Sequence, residues 1–365
     1  MRPVPEPITH VYGAVPADLA EVPASAVQCS PRVPGASPLG QVPAASSTAI
    51  VMHAPASVVE RRRVMALALK ALQAGAPLTV IAHNTKGGTR LAKELEALGC
   101  VVVSEHKRHH RIARTTRPET PTGVDQAIAE GDAILLPELG LWSQPGLFNW
   151  DRIDPGSQLL LDHLPALAGR GADLGCGIGV LARAVREKNP LAEMHLIDID
   201  ARALDIARRN VPGDGIFLHW ADVRATQVAD ATSPSPRGEK EMSSAPALLR
   251  TLPSGLDFVV CNPPFHDGGE EDKSLGKVFI NRAAEMLRPG GTLWLTANRH
   301  LPYEAVLTSA FESVEPVADK SGFKIYAAKK AARAAIRNPG RNPGRKTDHA
   351  PRHTSGRAAP PKARR

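Results

Sequence analysis

The run Gly171-Ala-Asp-Leu-Gly-Cys-Gly-Ile-Gly179 admits very few backbones. A strand leads into it and a helix leaves it, so the chain must reverse within a few residues. Glycines at alternate positions permit that turn and let its amides approach a ligand closely. The strand, glycine-turn, helix unit then propagates. His195-Leu-Ile-Asp198 reads as the next strand and Ala201 to Asn210 as the next helix. Leu256 to Val260 and Thr292 to Ala297 are further strands, separated by a helix from about Leu275 that Arg288-Pro-Gly-Gly291 stops. A helix near Tyr303–Ala310 follows, then two strands joined by Lys320-Ser-Gly322, which predicts an antiparallel hairpin. Alternating strands and helices with short turns argue for an α/β, parallel, doubly wound sheet.

The pattern occurs twice. Thr48–Met52, Leu78–Ala82 and Val101–Val103 read as strands, with helices at Val58–Gln73 and Thr89–Leu98. Two tandem Rossmann-like domains are therefore expected. The first spans residues 47–136. The second spans 137–328, with a seven-stranded, mostly parallel sheet ending in the hairpin. Residues 1–46, rich in Pro, Ala and Ser, are expected to be irregular, and the polar stretch 231–254 to be a surface insertion.

The turn also selects its ligand. Dinucleotide-binding turns space their glycines as G-x-G-x-x-G, whereas Asp173-x-Gly175-x-Gly177-x-Gly179 has an acid before an alternating set. A carboxylate there repels a pyrophosphate but suits the ammonium and sulfonium of S-adenosyl-L-methionine. Asp198 ends the next strand, 19 residues beyond Gly179, where an acid accepts ribose hydroxyls. Asp200 competes for that role. Asp222, after the strand Ile216–Trp220, is placed to accept the adenine amino group. In the first half Ala82 stands where Asp173 does, and Asn84 and Lys86 replace Gly175 and Gly177. That half is expected to keep the fold and to have lost the cofactor.

The chemistry is expected at Asn262-Pro-Pro-Phe265, at the carboxyl end of Leu256–Cys261, where open α/β sheets bind ligands. The Asn262 side-chain oxygen and the Pro263 carbonyl can both accept hydrogen bonds from one amino group, and Phe265 can stack on a planar base. An aromatic amine is a poor nucleophile because its lone pair is delocalised. Two acceptors on its hydrogens favour a pyramidal nitrogen ready for in-line methyl transfer.

Cys261-Asn-Pro-Pro-Phe-His-Asp-Gly268, with Asp173 to Gly179 before it and Leu301-Pro-Tyr303 after it, resembles the bacterial ribosomal RNA guanine-N2 methyltransferases, those of the small subunit above all. Pro145-Gly-Leu-Phe148, Ile153 to Leu161 and Ser321 to Tyr326 extend the likeness. The resemblance implies class I methyltransferase domains, the first degenerate, with S-adenosylmethionine as donor and a guanine of small-subunit (16S) ribosomal RNA as target. Large-subunit ribosomal RNA, adenine N6 and a protein glutamine are the alternative targets. A noncatalytic RNA-binding assembly factor is the alternative of another class, although a pure binder has no need of both motifs.

Charge separates along the chain. Of the net +8, residues 329–365 carry +11, from twelve Lys or Arg and one acid, so the rest carries −3. The tail is expected to contact RNA phosphates. Four scattered cysteines without a C-x-x-C pair argue against disulfides and a metal site, and no apolar run suits a membrane span. A cytoplasmic protein is expected.

Overall fold

A computed structural model describes residues 8–190, 192–228, 247–248, 251–264, 266–267, 270–271 and 273–332. The first sheet is built from β1 (Thr9–Tyr12), β2 (Val27–Gln28), β3 (Ala49–His53), β4 (Pro77–His83), β5 (Val103–Lys107) and β6 (His110–Thr116). Its order is β2-β1-β3-β4-β6-β5. β1 to β4 run parallel, while β6 pairs antiparallel with both β4 and β5. Helices α1 (Val58–Ala71), α2 (Leu91–Glu96) and α3 (Val124–Glu130) accompany it. Met52, Met65, Leu69 and Leu78 are fully buried in the core between α1 and this sheet.

A short hairpin, β7 (Ile134–Leu136) with β8 (Leu141–Ser143), and α4 (Pro155–His163) lead into the second sheet. There β9 (Arg170–Leu174), α5 (Val180–Lys188), β10 (Glu193–Asp198), α6 (Ala201–Asn210) and β11 (Ile216–Trp220) alternate as expected. β12 (Gln227–Val228), β13 (Ala247–Leu248) and β14 (Thr251–Leu252) are two-residue strands before β15 (Leu256–Cys261). β16 (His266–Asp267) pairs with β17 (Glu270–Glu271), and α7 (Lys273–Met286), β18 (Leu287–Asn298), α8 (Glu304–Ala310), β19 (Ser313–Lys320) and β20 (Phe323–Lys329) close the fold. The order is β13-β11-β10-β9-β15-β18-β20-β19. All neighbours are parallel as far as β18, and β20 and β19 are antiparallel.

This order places the site. The chain starts in the middle at β9, builds outward through β10 and β11, then returns to the other side of β9 with β15. Register pairs Val260 with Asp173, so the turns after β9 and β15 leave the same sheet edge side by side. That is the topological switch point where α/β sheets bind ligands. One face is covered by α4, α5 and α6 through Leu160, Leu181 and Leu204, the other by α7 and α8 through Ile280 and Leu307.

Several expectations need correction. Residues 1–46 are not irregular throughout: β1 lies parallel to β3 across four residue pairs. Prolines and alanines bracket so short a strand that no period shows in the sequence. The third strand of the first half is not Val101–Val103 but begins at Val103, in a hairpin with β6. His106 and Lys107 pair with Arg111 and His110 across the turn of this hairpin. In the 231–254 stretch, residues 231–246, 249 and 250 lie outside the described residues. The remainder is not mere surface, since Leu252 is fully buried and β13 adds an eighth strand at the sheet edge. Among the described residues, no helix is long and apolar enough to cross a membrane.

Candidate active site

Gly175, Gly177 and Gly179 all hold positive φ, at 76°, 52° and 84°, a region that L side chains avoid. Two of them answer different demands. A Cβ on Gly179 would lie 3.0 Å from Val211 and 3.1 Å from Ala207, so this glycine lets α5 pack onto α6. A Cβ on Gly177 would meet nothing within 4 Å. Its bare backbone faces open space, which is where a ligand approaches.

Asp173 lies beneath this turn, 1% exposed. Its Oδ2 accepts the Ala182 amide at 3.0 Å, which satisfies one otherwise orphaned donor of the first turn of α5. Its Oδ1 is buried without a partner among the described residues. Burial pushes the carboxyl up to about 7; the Ala182 amide opposes that shift and the Asp198 charge adds to it. Asp198 is the second acid of the site. Its Oδ2 accepts the Gly177 amide at 2.9 Å and its Oδ1 the Asp200 amide at 2.9 Å. Burial pushes it up to about 6. Two buried carboxyls raised by burial, beside the open side of Gly177, are an environment that a nearby cation would stabilise in its charged form.

Asp200 has both oxygens engaged by its own helix. It caps α6 through the Arg202 amide at 3.0 Å and is clasped by the Arg202 guanidinium. Asp222 sits past β11 as expected, and Ala221 there donates its amide to the Asp198 carbonyl at 3.0 Å. The Asp222 carboxylate accepts Arg224 Nη2 at 2.9 Å. Burial raises its pKa, but the hydrogen bonds from Arg224 outweigh this and hold it below the usual range.

Asn262 follows β15, and its amide orientation is fixed. Nδ2 donates to Asp154 Oδ2 and to Ser157 Oγ, both at 2.8 Å. A carboxylate can only accept, so both N–H groups turn toward α4 and Oδ1 has no partner among the described residues. Pro263 is buried beside it. Phe265 lies outside the described residues. Asp154 and Ser157 are site residues that the sequence reading missed. Asp154 is also the N-cap of α4, accepting the Ser157 amide at 2.9 Å. The Asp-Pro-Gly-Ser order announces that cap but not the partner 108 residues away. Cys261 is buried, donates Sγ–H to the Leu174 carbonyl at 3.2 Å, and is pushed well above the usual thiol range by burial. It is no nucleophile.

The matching turn of the first half is built differently. Ala82 ends in β4, and Asn84–Lys86 form a single helical turn before Gly87, at φ 93°. A Cβ on Gly87 would lie 2.2 Å from the guanidinium of Arg61. That buried side chain is held by Glu94 at 2.7 and 2.8 Å and by the Pro55 and Ala56 carbonyls, and packs directly against Gly87.

A central strand ending in an acid-glycine turn, a neighbour ending in Asn-Pro-Pro and a closing antiparallel hairpin define a class I methyltransferase. The family model described as "Methyltransferase small domain" matches residues 138–236 and 216–327. The chain is 31% identical over 309 residues to ribosomal RNA small subunit methyltransferase C of Pseudomonas aeruginosa, covering 83% of this chain and 86% of the relative. The corresponding protein of Pseudomonas paraeruginosa is also 31% identical, over 83% of this chain and 86% of its own length. This chain belongs to the ribosomal RNA small subunit methyltransferase C family. A similar solved structure is the T. thermophilus 16S rRNA N2 G1207 methyltransferase in complex with AdoMet and guanosine, with TM-score 0.66, 21% identity, and 90% and 89% of the two chains covered.

Proposed function

We propose that the protein transfers a methyl group from S-adenosyl-L-methionine to the exocyclic N2 of a guanine in small-subunit (16S) ribosomal RNA. The observation that carries this is the locked Asn262 amide, which commits both N–H groups to Asp154 and Ser157 and leaves its oxygen as the acceptor at the strand end beside the glycine turn. The residues fit the cofactor: Gly177 leaves open backbone, Asp173 keeps a buried oxygen without a partner among the described residues, and both acids are raised by burial. Asp173 would face the cationic end, Asp198 would accept ribose hydroxyls through its remaining lone pairs, and Asp222 would accept from adenine. Gly175, Gly177 and Gly179 shape the cradle. The cofactor supplies an electrophilic methyl when bound.

The chain's own residues prepare the other reactant. Asn262 Oδ1 and the Pro263 carbonyl accept the two amino hydrogens, which localises the nitrogen lone pair and aims it. Asp154 and Ser157 keep Oδ1, not Nδ2, toward the base; a flipped amide would offer donors to a donor. Phe265 stacks on the ring. The rest of the rate enhancement is orientation. The basic stretch 329–365 contacts RNA phosphates, and the first half is a decayed duplicate whose matching turn packs against Arg61.

Nucleoside mass spectrometry of ribosomal RNA treated with enzyme and cofactor should yield N2-methylguanosine. Asn262→Ala should lower turnover on the order of 100-fold with little change in cofactor affinity. Asp154→Ala, which frees the amide to flip, should lower it less, on the order of tenfold, with Asp154→Asn recovering part. N6-methyladenosine or a methylated protein glutamine would overturn the target, and full turnover in Asn262→Ala would overturn the mechanism.

A further inference from the structure

The N-terminal half touches the cofactor side of the catalytic half through buried charge. Arg202, in the first turn of α6, lays its guanidinium on both Asp200 oxygens, Nε to Oδ1 at 3.0 Å and Nη2 to Oδ2 at 2.7 Å. Its Nη1 reaches Glu60 Oε1 at 2.8 Å, and the two side chains are only 15% and 8% exposed. Glu60 belongs to the first turn of α1, in the other half. Gly146, at φ 98°, closes over it: a Cβ there would lie 2.4 Å from Glu60 Oε2. Beside this triad the Ala201 amide donates to the Pro31 carbonyl at 2.9 Å. The neighbouring Arg32 carries a charge that acts on both Glu60 and Asp198.

The far end of this chain of contacts is functional. The Asp200 amide donates to Asp198 Oδ1 at 2.9 Å, so the backbone that Arg202 pins through Asp200 is the backbone that orients Asp198. A buried ion pair is weak as a source of stability and is often replaceable by apolar side chains. What this one supplies is a fixed geometry, two residues from the ribose acid. The segment Pro31–Arg32 and the first turn of α1 both converge on that point, while the remainder of α1 packs on its own sheet.

We propose that Glu60 and Arg202 are positioning residues for the cofactor, and that the N-terminal half holds Asp198 in ribose-binding geometry through Arg202 and Asp200. This rests on the assignment of Asp198 to the ribose. A half that lost its own cofactor turn would thereby set the affinity of the surviving one.

Calorimetric titration of the full chain with S-adenosylmethionine tests it. Glu60→Gln should weaken binding about tenfold, within the range of site-to-site coupling, and Glu60→Ala more. In a double-mutant cycle the Glu60→Gln effect should vanish in the Asp198→Ala background, because both act on one contact. In steady state Glu60→Gln should raise KM for the cofactor far more than it lowers kcat. Arg32→Ala, at an exposed position that cannot unfold the core, should weaken binding in the same Asp198-dependent way. Glu60→Gln and Arg32→Ala effects that persist in full beside Asp198→Ala would overturn the proposal. So would wild-type affinity in both. Wild-type affinity in Asp198→Ala itself would instead overturn the ribose assignment beneath it.

Discussion

Asp173 and Asp198 are carboxyls held against ionisation, raised to about 7 and about 6 by burial. The sign of the consequence is definite. A cationic ligand favours their charged forms, so its binding should release protons and tighten as pH rises through these values. Between pH 8 and pH 6 cofactor affinity should fall by up to roughly tenfold for each group that titrates near 7. Without ligand the sign reverses: the folded protein binds protons that the unfolded chain gives up, so this pair makes the apo protein less stable as pH rises from the ordinary carboxyl value toward 7. Calorimetry in buffers of different ionisation heat measures both proton release and affinity. Asp173→Asn should bind more weakly at pH 8 and with a flatter pH dependence; an undiminished slope would remove Asp173 from the cationic end. The acids, the glycines and Asn262 were legible because their spacing is local. Asp154 and Ser157 were not, because their meaning lies in a contact across 108 and 105 residues.

At the scale of elements, the glycine turn makes a pair of opposite predictions. Gly179→Ala forces a Cβ against Val211 and Ala207 at a left-handed backbone position, and should destabilise the protein by about 1–3 kcal/mol. Gly177→Ala, at φ 52° and with open space for its methyl, should lose only the backbone part, about 1 kcal/mol, and fail in cofactor binding. Thermal melts beside calorimetry separate the two; equal losses of stability would mean that Gly177 is structural. Which elements were legible follows the same logic of local signals. The β19–β20 hairpin was, because Ser321 and Gly322 supply the positive φ values of 53° and 84° that such a turn needs. The β5–β6 hairpin was not, because its turn places Arg108 and His109 at 47° and 63° with no glycine or asparagine to announce it. β1 escaped for want of length.

For the whole molecule, the two-half organisation was visible as a repeated strand, turn and helix, but the tie between the halves was not. Nothing in the sequence pairs Glu60 with Arg202, 142 residues apart, until the fold brings them together. Charge is the property that acts at this scale and needs no fold to be read. Residues 1–328 carry −3 and would repel a polyanion, whereas residues 329–365 carry +11. If the tail supplies the attraction, RNA affinity should fall steeply with salt, since each neutralised phosphate releases counterions at about 0.7 per contact on single strands. Truncation after Ala332 keeps β20 and the Lys330 contact to the Leu287 carbonyl at 2.6 Å, and removes ten Lys or Arg. Filter binding across a salt series should then show weaker RNA binding and a shallower slope, with cofactor affinity unchanged because the residues proposed for the cofactor all lie between Asp173 and Asp222. A slope identical to that of the full chain would place the phosphate contacts on the folded body instead, against its net negative charge.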